Sequence, residues 1–301
     1  MNAATVRYHV RHETCYEYAY PVGSGRQLAH LTPRRTHWQT LLEHRLDVDP
    51  APVEFDQGED FFGNPIHRFA VEGVHETLTV IADSQVEVRS HAPAANSESP
   101  PWELACEPIC RLEPGQDLDP AQFRAASPSA PTLPEALDYA LPSFAPGRPW
   151  LDALIDLTQR IRREFTYDPE ATTVTTPVAE VLQQRAGVCQ DFAHTMISCL
   201  RSLEIPARYV SGYILNTPPP GKARLIGADA SHAWVAAHCP GLGWIGFDPT
   251  NGKIADTEFI TLSWGRDFSD VTPLRGVVLG SGEQQLTVRV TVSPLPADDM
   301  A

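Results

Sequence analysis

The chain has 301 residues, enough for roughly two domains at ~150 residues each. A hydrophobic fraction of 42 % is that of a folded globular protein and excludes disorder as the main state. With 38 acidic against 23 basic side chains and a net charge of −15, the chain is ill suited to neutralising phosphates, so nucleic acid is not an expected partner.

Residues 1–12 lack the basic cluster and apolar run of a secretion signal, and no stretch approaches the ~18 apolar residues of a membrane span. The expectation is a cytoplasmic protein with no membrane partner and reduced thiols. Residues 6–20 alternate Val6, Tyr8 and Val10 with Arg7, His9 and Arg11, the period of a half-buried strand. Short strand-like runs follow at 41–48, 68–71, 76–81 and 85–88, separated by Pro50, Pro52, Gly58, Gly63, Pro65 and Gly73. Residues 1–92 therefore read as a small antiparallel β domain. Residues 93–149 hold 12 of the 28 prolines and are expected to be a connector without continuous regular structure, one that wraps the surface through Trp102, Phe123, Leu133 and Trp150. From residue 150 the period becomes helical. Leu151, Leu154, Ile155, Leu157, Ile161 and Phe165 mark one helix, residues 177–185 a second ending at Gly187, and Phe192, Met196, Ile197, Leu200 and Leu203 a third. Strands are expected at 207–214, 232–238, 244–247 and 287–292. Residues 150–301 thus read as an α+β catalytic domain with C-terminal strands.

The chemistry concentrates after Gly187. Cys189 falls in the first turn of the third helix, where unsatisfied N–H groups favour a thiolate, the nucleophilic form, and can also receive the oxygen of a tetrahedral intermediate. A thiolate in acyl transfer needs a base, and the base needs an orienter. His232 opens one strand, Asp248 closes the next, and the turn-rich residues 239–243 between them predict a hairpin. An odd loop puts both side chains on one face; a three-residue loop at 239–241 sets them directly opposite. An even loop without a bulge puts them on opposite faces. Asp229 is the other carboxylate close to His232 in sequence, and His194 is a competing base that lacks an evident orienter.

Four blocks, 187–193 (GVCQDFA), 203–213 (LEIPARYVSGY), 231–234 (SHAW) and 246–251 (GFDPTN), occur in the order of the transglutaminase-like superfamily of papain-type thiol enzymes, which the chain resembles. The β-like N-terminal region and 265–276 (GRDFSDVTPLRG) resemble its bacterial branch with a dedicated N-terminal domain. The resemblance implies a papain/transglutaminase-like core with helices packed on an antiparallel sheet, preceded by a small β domain. It implies Cys189 as nucleophile, His232 as general base and acid, and Asp248 as orienting carboxylate. By the same resemblance Tyr167 is the candidate second oxyanion donor, and Tyr213 a candidate for lining the cleft. Gln190, in the place of a tryptophan in animal transglutaminases, is a further substrate-binding candidate.

No calcium-loop pattern is present, so no cofactor is expected. Cys106 and Cys110 lack a second pair or spaced histidines to complete a metal site. Cys199 falls among core positions, and the glycines at 241 and 243 sit in a hairpin turn and not at a strand-to-helix turn, so no dinucleotide site follows. The expected activity is cleavage of an amide, peptide or isopeptide bond through an acyl-thioester, on a peptide, protein or small amide substrate. The alternatives are passage of the acyl group to an amine, as in a transglutaminase, and a non-catalytic interaction module on the same fold.

Overall fold

A computed structural model of the chain describes residues 4–94, 98–104, 119–215, 231–280 and 282–296. The N-terminal region is built from β1 (Thr5–Ala29), β2 (Gln39–Asp49), β3 (Glu54–Glu59) and β4 (Pro65–Arg89). The three runs expected between 68 and 88 are one strand, β4, paired with β1 over most of its length. The turn-prone Gly73 is absorbed at φ +95° inside that strand, beside register shifts at Glu17, Val22 and Ser24. β3 is exposed along its whole length and offers no alternating apolar signal, which is why the sequence pattern passes over it.

The remaining elements are α1 (Pro134–Ala140), α2 (Trp150–Glu164), β5 (Thr166–Tyr167), α3 (Val178–Gln184), β6 (Ala186–Gly187), α4 (Cys189–Ser202), β7 (Ala207–Ile214), β8 (Ser231–Cys239), β9 (Gly243–Asp248), β10 (Lys253–Ile254), β11 (Phe259–Gly265), β12 (Leu274–Leu279) and β13 (Gln284–Pro294). A five-stranded antiparallel sheet runs β10-β9-β8-β7-β11, and its main core lies against α2 and α4. α2 buries Leu151, Leu154, Leu157 and Ile161, the stripe read from its sequence. α3 ends on Arg185 in the left-handed conformation (φ 52°), two residues before the glycine expected to stop it.

Two features differ from the expected division of the chain. β12 and β13 leave the C-terminal half and pair with β1, completing a six-stranded sheet in which the first and last strands are neighbours. The described part of the connector also belongs to the core of the helices and the five-stranded sheet. Phe123, Ala136, Tyr139 and Phe144 are buried, and Arg201 of α4, 2 % exposed, donates to the carbonyls of Phe123 and Ala130 and to the Ser127 hydroxyl. Prolines prevent a long helix there without preventing burial. Tyr8, Val10, Val86, Val88, Val290 and Val292 of the large sheet pack on Tyr213, Ile260 and Leu262 of the smaller one, so the N-terminal region backs β7 and β11, on the flank of the sheet beyond β8.

Candidate active site

Cys189 is the first residue of α4, preceded by Val188 in extended conformation and by Gly187 at φ +153°. The turn is closed by Asp191, whose carboxylate accepts the Val188 N–H at 2.8 Å and the Thr172 hydroxyl at 2.6 Å. Only glycine fits at 187, since a Cβ there would stand 2.5 Å from Asp191 Oδ2. Burial holds the Asp191 carboxyl above the usual carboxylate range, and its two hydrogen bonds only partly oppose that. The short parallel pair of β5 and β6 sets Tyr167 beside Gly187, one turn from the thiol.

β8 and β9 form the expected hairpin, with three residues, 240–242, between the paired Cys239 and Gly243. The odd loop keeps His232 and Asp248 on one face. The register is offset from the expected one, because the loop starts one residue later. Asp248 lies one step beyond the Val235–Phe247 pair and reaches His232 diagonally, Nε2 to Oδ2 at 2.8 Å. The carboxylate is fully buried and saturated. Oδ2 also accepts the Asn251 side-chain amide at 2.6 Å, and Oδ1 accepts the backbone N–H groups of Thr250 and Asn251. Burial alone would raise the Asp248 pKa, but the hydrogen bond and charge of His232 and the bonds from Asn251 outweigh it and hold the carboxyl low.

His232 is 8 % exposed and packs its ring against Trp234 and Phe259, each at 6.2 Å between centroids. Burial opposes a charge on the imidazole. Hydrogen bonds to Asp248 and to the side chain of Cys189, with the charges of both, overcome that and push its pKa up to about 10. With Nε2 committed to Asp248, Nδ1 is the nitrogen left for the thiol. Helix start, strand start and strand end thus meet at one imidazole.

The other sequence candidates separate cleanly. Tyr167 is 55 % exposed and close enough to Cys189 and Asp191 for their charges, after burial, to raise its phenol pKa. Gln190 directs its amide toward the Val174 carbonyl at 3.4 Å, fastening the 168–176 loop to the first turn of α4. Tyr213 does not line the cleft. It is 1 % exposed, and its hydroxyl meets His12 Nδ1 at 2.9 Å between the two sheets, where burial raises its pKa. His194 is a structural histidine: Nε2 accepts the Phe268 N–H at 3.1 Å, and burial lowers its pKa to about 4. Cys199 is fully buried, and burial pushes its thiol up to about 12. Asp229, Cys106 and Cys110 lie outside the described residues. Among the described residues no group of three or more His, Cys, Asp or Glu side chains is arranged to hold a metal ion, and no helix is long and apolar enough to cross a membrane. Asn251 and Asp191, which hold the carboxylate and the nucleophile turn, are absent from the sequence-derived set.

Comparison with known proteins adds three findings. Residues 143–249 match the family model of the transglutaminase-like superfamily, and residues 8–87 match that of the bacterial transglutaminase-like N-terminal region. An uncharacterised protein of Mycobacterium tuberculosis is 41 % identical over 98 % of this chain and 95 % of its own, while a protein-glutamine gamma-glutamyltransferase of Pseudomonas aeruginosa is 34 % identical over 31 % of this chain and 15 % of its own. A crystal structure titled as a candidate cysteine protease from Cytophaga hutchinsonii shares the fold, with a TM-score of 0.75 and 21 % identity over 99 % of this chain and 93 % of that one.

Proposed function

The chain belongs to the transglutaminase-like superfamily, and from that premise we propose that it cleaves an amide, peptide or isopeptide bond through an acyl-thioester on Cys189. The observation that carries this reading is the single imidazole of His232 shared by Asp248 and Cys189. In the first step the Cys189 sulfur attacks the carbonyl carbon and His232, holding the proton, delivers it to the departing amine. In the second step His232 takes a proton from water, which attacks the thioester and releases the acid. Asp248 keeps the ring in one tautomer and stabilises its cation throughout. The N–H groups at the start of α4, with the Tyr167 hydroxyl, stabilise the oxyanion.

The match to a protein-glutamine gamma-glutamyltransferase favours a second resolution of the same acyl-enzyme, by an amine instead of water. Mass spectrometry of glutamine- and isopeptide-containing peptides, with and without added amine, separates the two. Hydrolysis releases ammonia or a free amine in both conditions, whereas transamidation adds the amine's mass only when it is supplied. A Cys189→Ala chain that folds but retains more than a few per cent of turnover rejects the nucleophile. Failure of the wild type to label with iodoacetamide at mildly acidic pH supports the non-catalytic module instead.

A further inference from the structure

The edges of the large sheet are not protected alike. β2 and β3, which cover one side of β4, carry Glu43, Arg45 and Asp47, and Glu54, Asp56 and Glu59, charges that discourage pairing with a further strand. β13 carries Arg289, held by Glu13 at 2.8 Å, and two glutamines. β12 has a single charged side chain, Arg275. From Gly276 to Leu279 its outer edge is uncharged, and Val277, Val278 and Leu279 are 72 %, 36 % and 74 % exposed. Among the described residues its only strand partner is β1. Unpaired backbone groups flanked by exposed valine and leucine form a template for another strand.

We propose that this edge joins two copies of the chain, β12 against β12 antiparallel, with Val277 on the two-fold axis. Charge points to this strip. On a chain of net charge −15, like copies meet at least cost where carboxylates are few or neutralised, and here the nearest charges are Arg275 and, opposite Val277 on β1, Arg26, which pairs with Glu54 at 2.8 Å. The strand is also complementary to itself. In this register Val277 faces the second copy's Val277, and Gly276, whose side-chain space is taken by Gln27 of its own chain, sets no side chain against the second copy's Val278. The stem of Arg275 covers the second copy's Leu279, leaving the two Arg275 positions four residues, about 13 Å, apart. Such an isologous contact closes after two copies, making one continuous sheet of both N-terminal regions.

Sedimentation equilibrium of the full chain from about 1 to 300 µM tests it, a range suited to a contact of less than standard size. The mass should rise from 33.1 kDa toward twice that value and stop there. Val277→Lys sets two ammonium groups on the axis and should hold the chain at the monomer mass, with unchanged circular dichroism and unchanged Cys189 labelling. Val277→Cys should yield a disulfide-linked pair on mild oxidation, while Thr287→Cys on β13 and the wild type treated in parallel should not. A mass fixed at 33.1 kDa throughout overturns the proposal, whether the edge is bare or kept for a different protein. So do a dimer undiminished by Val277→Lys, an open-ended series of larger species, or a Val277→Cys chain that does not cross-link.

Discussion

At the scale of residues, the members of the proposed triad were legible because each sits where a sequence signal marks it: a glycine turn before a helix, and the two ends of one hairpin. Asp248→Asn should leave the fold intact and lower kcat by ~10²–10⁴, the scale seen when a triad carboxylate is removed. The ion pair also has a pH signature. Because His232 is raised to about 10, it contributes stability that is fully present below its unfolded pKa of 6.5 and is lost as pH rises toward 10. Asp248, held low, contributes above its unfolded value of 3.8 and ceases to as pH falls through its folded value. The Tm difference between wild type and Asp248→Asn should therefore be widest near pH 5–6 and shrink on the alkaline side; a difference that grows there contradicts the pairing. Asn251 was hidden by the weight of the neighbouring motif, although an Asn three residues after an Asp that opens a turn is a readable signal. Asn251→Ala should reduce kcat about tenfold. It should also move the acid limb of the kcat profile upward, since Asp248 loses a donor that keeps its carboxyl low. A variant with reduced rate but an unmoved limb would mean that Asn251 only shapes the turn.

At the scale of elements, period and punctuation located α2, which buries one regular face, and also α4, β7, β8 and β9, although α4, β7 and β8 are buried nearly all round. They were silent on register. The hairpin itself was legible, but whether its loop was odd or even, and whether it began at 239 or 240, depends on packing that lies off the hairpin. Periodicity also failed for β3, which buries nothing, and β4 was broken at a glycine that the sheet tolerates. The turn before α4 is the most constrained of these elements. Gly187→Ala would place a methyl against Asp191 in a backbone region that alanine resists, and the cost should be about 2–3 kcal/mol of unfolding free energy by urea titration. The rate of Cys189 alkylation should fall in the same variant, because Val188 and the first N–H groups of the helix shift with Asp191. Near-wild-type stability and labelling would show that the turn has slack.

At the scale of the whole molecule, three histidines in different regions, the buried His12 and His194 and the half-buried His44, are each lowered by burial to about 4. A group whose pKa is lower folded than unfolded leaves the native state short of a proton, so stability falls as pH drops from 6.5 toward 4. Unfolding across that window should take up about three protons at these histidines, read from the slope of unfolding free energy against pH, and burial lowers His67 and His91 in the same direction; a flat profile there rules the account out. Domain boundaries were the least legible property. Nothing in the composition of residues 274–294 says that they pair with residues 8–29, because a strand records its own periodicity and not its partner. That pairing has a temporal meaning. A ribosome delivers β1 first and β13 last, and at about 5–20 residues per second the first strand waits some tens of seconds for its neighbour. Late in that interval Cys189, His232 and Asp248 have all been made, but the sheet packed on β7 and β11 is unfinished. The three side chains of the proposed site are thus in place on a helix and a sheet whose neighbour is completed only when residues 284–294 have been added.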